Sequence, residues 1–211
     1  MDTRHLIRTL TLDGRKAVPM ARAWILALGG ALVIAALLFF AAIGPRPDFA
    51  LAAETWRFLY KFAVTLALFA TGLWALVALA RPGMRSRQRL AALLLAPCLL
   101  VAAILVEVAA IPTDQLGSRL IGSNAMLCMT FIPLIGIGPL AAFLLALRHG
   151  APDAPSLAGA VAGLVAGGLA ATFYAAHCND DSPLFVAAWY LPAILLLAAL
   201  GAVSARFVLR W

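Results

Sequence analysis

Six uninterrupted apolar runs of about 20 residues limit what this chain can fold into, because a helix of about that length crosses the roughly 30 Å hydrocarbon core of a bilayer. Only helices satisfy their backbone hydrogen bonds locally in lipid, and these runs are too long and continuous for barrel strands. The sequence therefore predicts an all-α polytopic membrane protein with six transmembrane helices, at residues 24–43, 58–79, 90–111, 125–147, 157–176 and 185–207.

Composition agrees with this class. Hydrophobic residues make up 64% of the chain, charged residues 12%, and mean hydropathy is +1.00, which excludes an ordinary soluble domain. The net charge of +7 comes from short basic clusters between the runs, not from one basic face as in a nucleic-acid-binding protein. Two parts are predicted: a cytoplasmic amphipathic segment at residues 1–23 and a six-helix transmembrane domain at residues 24–211.

The distribution of Lys and Arg predicts the orientation. Twelve of the 16 lie in the N-terminal segment, in the links after the second and fourth runs, and in the C-terminal tail. Because cytoplasmic loops of membrane proteins are enriched in Lys and Arg, both termini are predicted to be cytoplasmic. The remaining four face outwards in this topology: Arg46, Arg57, Lys61 and Arg119.

Two cysteines are predicted to reach the same outer level of the membrane. Cys128 lies in the first turn of the fourth run, and Cys178 follows the fifth. The short link "RHGAPDAPS" predicts that these two runs form an antiparallel hairpin, whose helix ends can come within the roughly 7 Å between Cα atoms that a disulfide needs. Both cysteines could also be simple packing residues, and Cys98, deep in the third run, is expected to pack as a small apolar residue.

The stretch "YAAHCNDDSPLFVAAWY" places ionisable groups beside Cys178. A protonated His177 would favour the thiolate, whereas Asp180 and Asp181 would oppose it, so the sequence leaves the net effect open. The same polar residues are ordinary turn and capping residues. Ser182 is expected to cap the sixth helix, with a proline at its first position.

A thiophilic metal is an alternative use of this region. Two thioethers, two thiols and an imidazole form a soft donor set that suits Cu(I) or a similar ion. No CxxC or paired-histidine spacing supports a permanent site, so no resident cofactor is predicted and any metal would be transient. The donors are Met126, Cys128, Met129, His177 and Cys178.

Glu107 is the only acid inside a predicted run. Acids within a membrane span are candidates for function, and Arg119 or His177 could be its partner.

Small and kinking residues shape the fourth and fifth runs. Glycines at intervals of four on the fifth run let another helix approach closely, inside the monomer or in a homodimer. Two prolines with glycines between them predict a kinked, movable fourth helix. The glycines are Gly159, Gly163 and Gly167, and the prolines are Pro133 and Pro139.

The N-terminal segment could form a short amphipathic helix. Leu6, Ile7 and Leu10 recur at helical spacing among basic residues. Such a helix could lie on anionic lipid or dock into a groove of a partner protein, and composition does not choose between them.

Several motifs together resemble one known family. The N-terminal "LIRTL", the six runs, a cysteine near the start of the fourth run followed by "IPL", then "ALRHGAP" and a glycine-rich run ending in "HCNDDSPLFVAAWY" are similar to the NrsF family of bacterial membrane anti-sigma factors. These proteins are negative regulators of extracytoplasmic-function sigma factors. The similarity covers essentially the whole chain and is strongest from residue 128 to residue 189.

The resemblance implies a function that the residues alone do not. Short cytoplasmic segments, above all the N-terminal one, would hold the sigma factor at the inner membrane, away from RNA polymerase and with no direct contact to nucleic acid. The family's two sensing cysteines correspond to Cys128 and Cys178. Oxidants or thiophilic heavy metals would change this pair and release the sigma factor.

Other classes of protein fit less well. A membrane thiol-redox enzyme would need a CxxC or a second cysteine pair to pass electrons on, and an intramembrane serine protease would need a GxSG motif, which "IGSNA" lacks. The chain is therefore predicted not to be an enzyme. A small transporter or ion-handling protein is the main alternative, although no inverted repeat and no intramembrane charge besides Glu107 is evident.

Overall fold

The computed structural model describes Thr3 and residues 19–83 and 87–209. These residues form helices and links and contain no strand. Six helices are long and apolar enough to cross a membrane, which confirms the predicted all-α class and the number of spans. They are α1 (Met20–Ala42), α2 (Trp56–Leu79), α3 (Arg87–Ala110), α4 (Ala125–Leu147), α5 (Pro155–Ala175) and α6 (Pro183–Val208).

Local sequence signals set the helix ends. Thr55 caps α2 by accepting a hydrogen bond from the Phe58 N–H, and Pro155 occupies the first turn of α5. The third helix is regular from Leu95, after a 3-10 turn, and α6 contains a π-helical turn at Val186–Tyr190. The predicted docking residues Leu6, Ile7 and Leu10 lie outside the described residues.

The helices meet at two distinct ends. The links 43–55, 111–124 and 176–182 contact one another and carry Cys178, so we call this the cysteine end. Residues 80–83 and the link 148–154 meet at the opposite, basic end, where the Ala151 N–H donates to the Ala80 carbonyl (3.1 Å). There the Gly83 N–H also donates to the Asp153 carboxylate (3.0 Å).

The fifth helix is the most buried of the six and packs tightly on α6. A Cβ atom added to Gly159 would lie 2.2 Å from the Gly201 carbonyl oxygen, and one added to Gly163 would lie 2.2 Å from the Leu197 carbonyl oxygen. Gly167 faces Ile194, which also belongs to α6. The glycine face of α5 is therefore covered within the monomer.

The fourth helix runs through both of its prolines and links the cysteine end to α1. A Cβ atom added to Gly138 would lie 2.4 Å from a methyl group of Ile34 in α1, so the two helices approach closely there. Displacement of α4 would therefore also displace α1, the helix that follows the N-terminal segment.

Candidate functional site

Cys128 and Cys178 meet inside the cysteine end of the bundle. Cys128 lies in the first turn of α4, and the chain brings Cys178 to it three residues after α5 ends. Both side chains are 0% exposed and unbridged, their thiols interact with each other, and the Cys178 thiol also donates to the Asp180 carbonyl (3.7 Å). Two residues that are fifty positions apart in the sequence thus form a buried pair.

Two tyrosines complete the surroundings of the pair. Tyr174 interacts with Cys128, and Tyr190 interacts with Cys178. The two rings contact each other edge to face, with centroids 5.6 Å apart, and both side chains are almost fully buried. The thiols therefore lie in a dry, aromatic environment, which a polar reagent could enter only if the link moved.

The pKa of the Cys178 thiol is lowered. A hydrogen bond with the Cys128 thiol is the main cause, and the positive charge of Lys61 acts in the same direction, whereas burial opposes both. The thiolate, which is the reactive and metal-binding form of cysteine, is therefore favoured at Cys178 over an isolated buried thiol.

The charges that hold Cys178 in place come from α2 and from the first link. The Lys61 ammonium group donates to the Cys178 carbonyl (2.8 Å) and pairs with the Asp181 carboxylate (2.5 Å). Arg46 pairs with the same carboxylate (3.1 Å) and also with Asp48 (2.7 Å). The expectation that Glu107 is the only charge within a span is wrong, because Lys61 lies in α2 and is 1% exposed.

Asp180 ties the Cys178 link to the start of the Cys128 helix. Its carboxylate accepts hydrogen bonds from the backbone N–H groups of Ser123 (3.0 Å) and Asn124 (2.9 Å) and from the Asn124 amide (2.9 Å). A carboxylate at a helix N-terminus satisfies free N–H groups and complements the helix dipole. Asp180 thus stabilises the N-terminus of α4, on a different element from its own.

Ser182 caps α6 as predicted, and Glu107 supports it from α3. The Ser182 hydroxyl accepts from the Leu184 N–H (3.2 Å) and donates to the Glu107 carboxylate (2.6 Å). Glu107 is 0% exposed, and its other oxygen pairs with Arg119 (3.1 Å) and Arg57 (3.7 Å). The expected partner Arg119 is confirmed, and the alternative partner His177 is wrong.

His177 and the two methionines differ in their surroundings, and the His177 ring lies beside Tyr174, with centroids 6.0 Å apart. The His177 ring nitrogen Nδ1 is 2.9 Å from the Gly44 carbonyl oxygen, so the ring is tied to the first link. Met126 is 77% exposed on the outer surface, and Met129 is partly buried. Within residues 19–83 and 87–209, no group of three or more His, Cys, Asp or Glu side chains is arranged to hold a metal ion.

Cys98 is not part of this site. Its side chain is exposed on the outer face of α3, beside Pro97 and Val101. The expectation that it packs as a buried apolar residue is therefore wrong, and it is the one exposed cysteine of the three.

Sequence reasoning missed four side chains of the site. Lys61 and Arg46 were counted only as topology signals, although position 61 falls inside a predicted run, where a lysine requires a partner. The two tyrosines stand in the stretch that drew attention to Cys178. Aromatic residues in apolar helices usually pack as core, so no sequence signal placed Tyr174 and Tyr190 against the thiols.

Comparison with known proteins connects this arrangement to a family. The family described as "Negative regulator of sigma F" (NrsF) matches residues 12–211. The "Probable anti-sigma-F factor NrsF" of Azospira oryzae is 33% identical over 217 aligned positions, and the "Anti-sigma-F factor NrsF" of Caulobacter vibrioides is 34% identical over 218. Each alignment covers 100% of both chains. No solved structure matches the chain. The family match over most of the chain and the full-length similarity to both relatives show that this protein belongs to the NrsF family.

Proposed function

We propose that this protein is an inner-membrane anti-sigma factor that releases its sigma factor when a periplasmic cysteine pair is modified. Family membership supports the regulation of a sigma factor and a role without catalysis. The observation that carries the sensor assignment is the meeting of Cys128 and Cys178 as a buried, interacting pair in one core cluster. A pair of thiols in contact can be oxidised to a disulfide or bridged by a thiophilic ion.

The charges support an orientation with the basic end in the cytoplasm. All four cations of the cysteine end are in ion pairs with carboxylates, so they add little positive charge to that side. The arginines of the basic end have no comparable set of carboxylates near them in the sequence, so their positive charge is not neutralised in the same way. Because loops rich in Lys and Arg favour the cytoplasm, the basic end is assigned to that side. The cysteine pair would then face the oxidising periplasm, where thiols are converted to disulfides. The four cations are Arg46, Arg57, Lys61 and Arg119.

Modification of the pair would reach the cytoplasmic side through α4 and α1. Asp180 and Cys128 join the Cys178 link to the first turn of α4, so a change in the separation of the two sulfurs shifts that turn. The fourth helix packs along α1, with Gly138 against Ile34, and α1 leads back to the N-terminal segment. A difference of only a few kcal/mol between two packings is enough to switch a poised equilibrium.

Deleting residues 1–20 tests the cytoplasmic docking site. We expect the deleted protein to reach the membrane but to lose co-purification of its sigma factor, because the amphipathic segment with Leu6, Ile7 and Leu10 supplies the apolar contact. Replacing these three residues with serine in the full chain should weaken co-purification at least tenfold. Retention of the sigma factor by both variants would place the docking site elsewhere.

Replacing both sensor cysteines tests the periplasmic switch in cells. A Cys128→Ser/Cys178→Ser variant should still repress a sigma-dependent reporter but no longer induce it on exposure to an oxidant or a thiophilic metal, because no disulfide or metal bridge can form. Cys98→Ser is the matched control and should respond as the parent does. Normal induction in the double variant would exclude Cys128 and Cys178 as the sensor.

A further inference from the structure

Lys61 is a buried cation that contacts the main chain of a proposed sensor residue. It is 1% exposed although it lies in α2, and its ammonium nitrogen is 2.8 Å from the Cys178 carbonyl oxygen. The same nitrogen is 2.5 Å from the Asp181 carboxylate and 5.3 Å from the centre of the Phe58 ring. The ammonium group thus contacts two acceptors and one aromatic face.

Removing an ammonium group from water costs free energy of solvation, and only close, well-directed partners compensate for that cost. Asp181 alone would neutralise the charge. The second bond, to the Cys178 carbonyl, instead fixes the chain at the sensor residue, and Arg46 reaches the same carbonyl at 3.4 Å. The cation is therefore connected to the cysteine as well as to its counter-ion.

The two cysteines are held from different helices. Cys128 is fixed by its place in α4, whose N-terminus is held by Asp180. Cys178 lies in the link after α5, where its N–H donates to the Tyr174 carbonyl (3.0 Å) and its carbonyl accepts from the side chains of Lys61 and Arg46. The Tyr174 bond anchors the amide side of Cys178 to α5, and the Lys61 bond, the shorter of the two that its carbonyl receives, anchors the other side.

We infer that Lys61 is a positioning residue for the cysteine pair, which holds Cys178 against Cys128 from within the second helix. This inference rests on the proposed function, in which the pair is the sensor. It extends that function by making α2 part of the sensing unit, together with α4 and the link between α5 and α6.

Position matters in the second step of disulfide formation. With oxidised glutathione, one protein thiolate attacks a glutathione sulfur, the glutathione S–S bond breaks, and a mixed disulfide forms as one glutathione thiolate leaves. The second protein thiolate then attacks the protein sulfur of the mixed disulfide and expels the other glutathione. The protein pair loses two electrons, and one oxidised glutathione becomes two reduced molecules. The second step depends on the effective concentration of one protein thiol near the other.

The test measures this effective concentration in the full-length protein in detergent micelles, in a Cys98→Ser background. The fraction of Cys128–Cys178 disulfide is determined at several ratios of reduced to oxidised glutathione by alkylation with a polyethylene-glycol maleimide under denaturing conditions. Lys61→Met should lower the equilibrium constant for disulfide formation at least tenfold, because the loss of the Cys178 anchor outweighs the opposite effect of losing a cation that stabilises the thiolate of the reduced form. Lys61→Arg, which keeps a cationic donor, should stay within about threefold of the parent.

Arg57→Gln is the matched control, since it removes a cation from the same end of α2 that pairs with Glu107 and not with Cys178. It should change the melting temperature but not the disulfide equilibrium. If Lys61→Met does not give a folded protein, Lys61→Met/Asp181→Asn decides, because it removes the anchor together with the carboxylate that would otherwise lose its partner, and the constant should fall in the same direction. An unchanged or raised constant in the folded Lys61→Met or Lys61→Met/Asp181→Asn protein would overturn the inference.

The measurement separates this inference from the proposed function. The disulfide equilibrium needs neither a sigma factor nor a cellular response. If the double cysteine variant still induced the regulon while Lys61→Met lowered the disulfide constant, the sensor assignment would fail and the positioning role would stand. If the double cysteine variant failed to induce the regulon while Lys61→Met left the disulfide constant unchanged, the sensor assignment would stand and the positioning role would fail.

Discussion

Replacing Glu107 with alanine is expected to destabilise the folded protein by about 3 kcal/mol, because removal of one partner from a buried ionic network leaves the other partners unsatisfied. Ser182 would lose its acceptor at the start of α6, and Arg119 and Arg57 would lose their shared carboxylate. The free energy of unfolding can be measured by titration with sodium dodecyl sulfate in mixed micelles.

Two further variants identify the cause of this loss. Glu107→Gln keeps an acceptor for Ser182, so its free energy of unfolding should fall less than that of the alanine variant. The difference between the two variants should be about the contribution of one charge-assisted hydrogen bond. Asp114→Asn removes an exposed acid from the neighbouring link and should leave the free energy of unfolding unchanged. Equal stability of Glu107→Ala and the parent would show that the network around Glu107 does not hold the cysteine end together.

The second large effect is expected at the contact between α5 and α6. Gly163→Ala should lower the free energy of unfolding by about 2 kcal/mol, because overpacking forces closely packed elements apart. The added Cβ atom would lie 2.2 Å from the Leu197 carbonyl oxygen and 2.5 Å from the Ala198 Cα atom, and neither backbone atom can turn away. Unfolding in sodium dodecyl sulfate measures this loss as well.

Gly29→Ala is the matched control for this substitution. No atom lies within 4 Å of a Cβ atom added to Gly29, so the change should be neutral or stabilise α1 through the better helix propensity of alanine. If the glycine face of α5 mediated a homodimer, Gly163→Ala would instead change the oligomeric state and leave the unfolding free energy of the monomer intact. That result would contradict the packing of α5 on α6 described above.

The number and places of the helices were predictable because they follow from the length and hydropathy of local runs. The approach of Cys128 and Cys178 was also predictable in outline. A short link between consecutive helices places the start of one beside the end of the other. Topology therefore gave the level of the two cysteines, although it could not give their contact.

The polar contacts were harder to predict because each joins residues from separate links. A lysine near a helix end usually extends towards water, so nothing in the sequence showed that Lys61 turns inwards to Asp181 and Cys178. Asp180 is next to the cap of α6, yet it stabilises α4, and only the tertiary fold determines which N-terminus it reaches. His177 likewise adjoins Cys178 in sequence but contacts the first link.

Release of the sigma factor from isolated membranes is the most direct measurement. Inverted inner-membrane vesicles that carry the protein and its bound sigma factor are treated with diamide, a thiol oxidant, and sedimented, and the sigma factor in the supernatant is quantified. Parent and Cys98→Ser membranes should release most of it, whereas Cys128→Ser/Cys178→Ser membranes should retain it, since no disulfide can form between the helices. Equal release from the double variant and the parent would contradict control of the sigma factor by this cysteine pair.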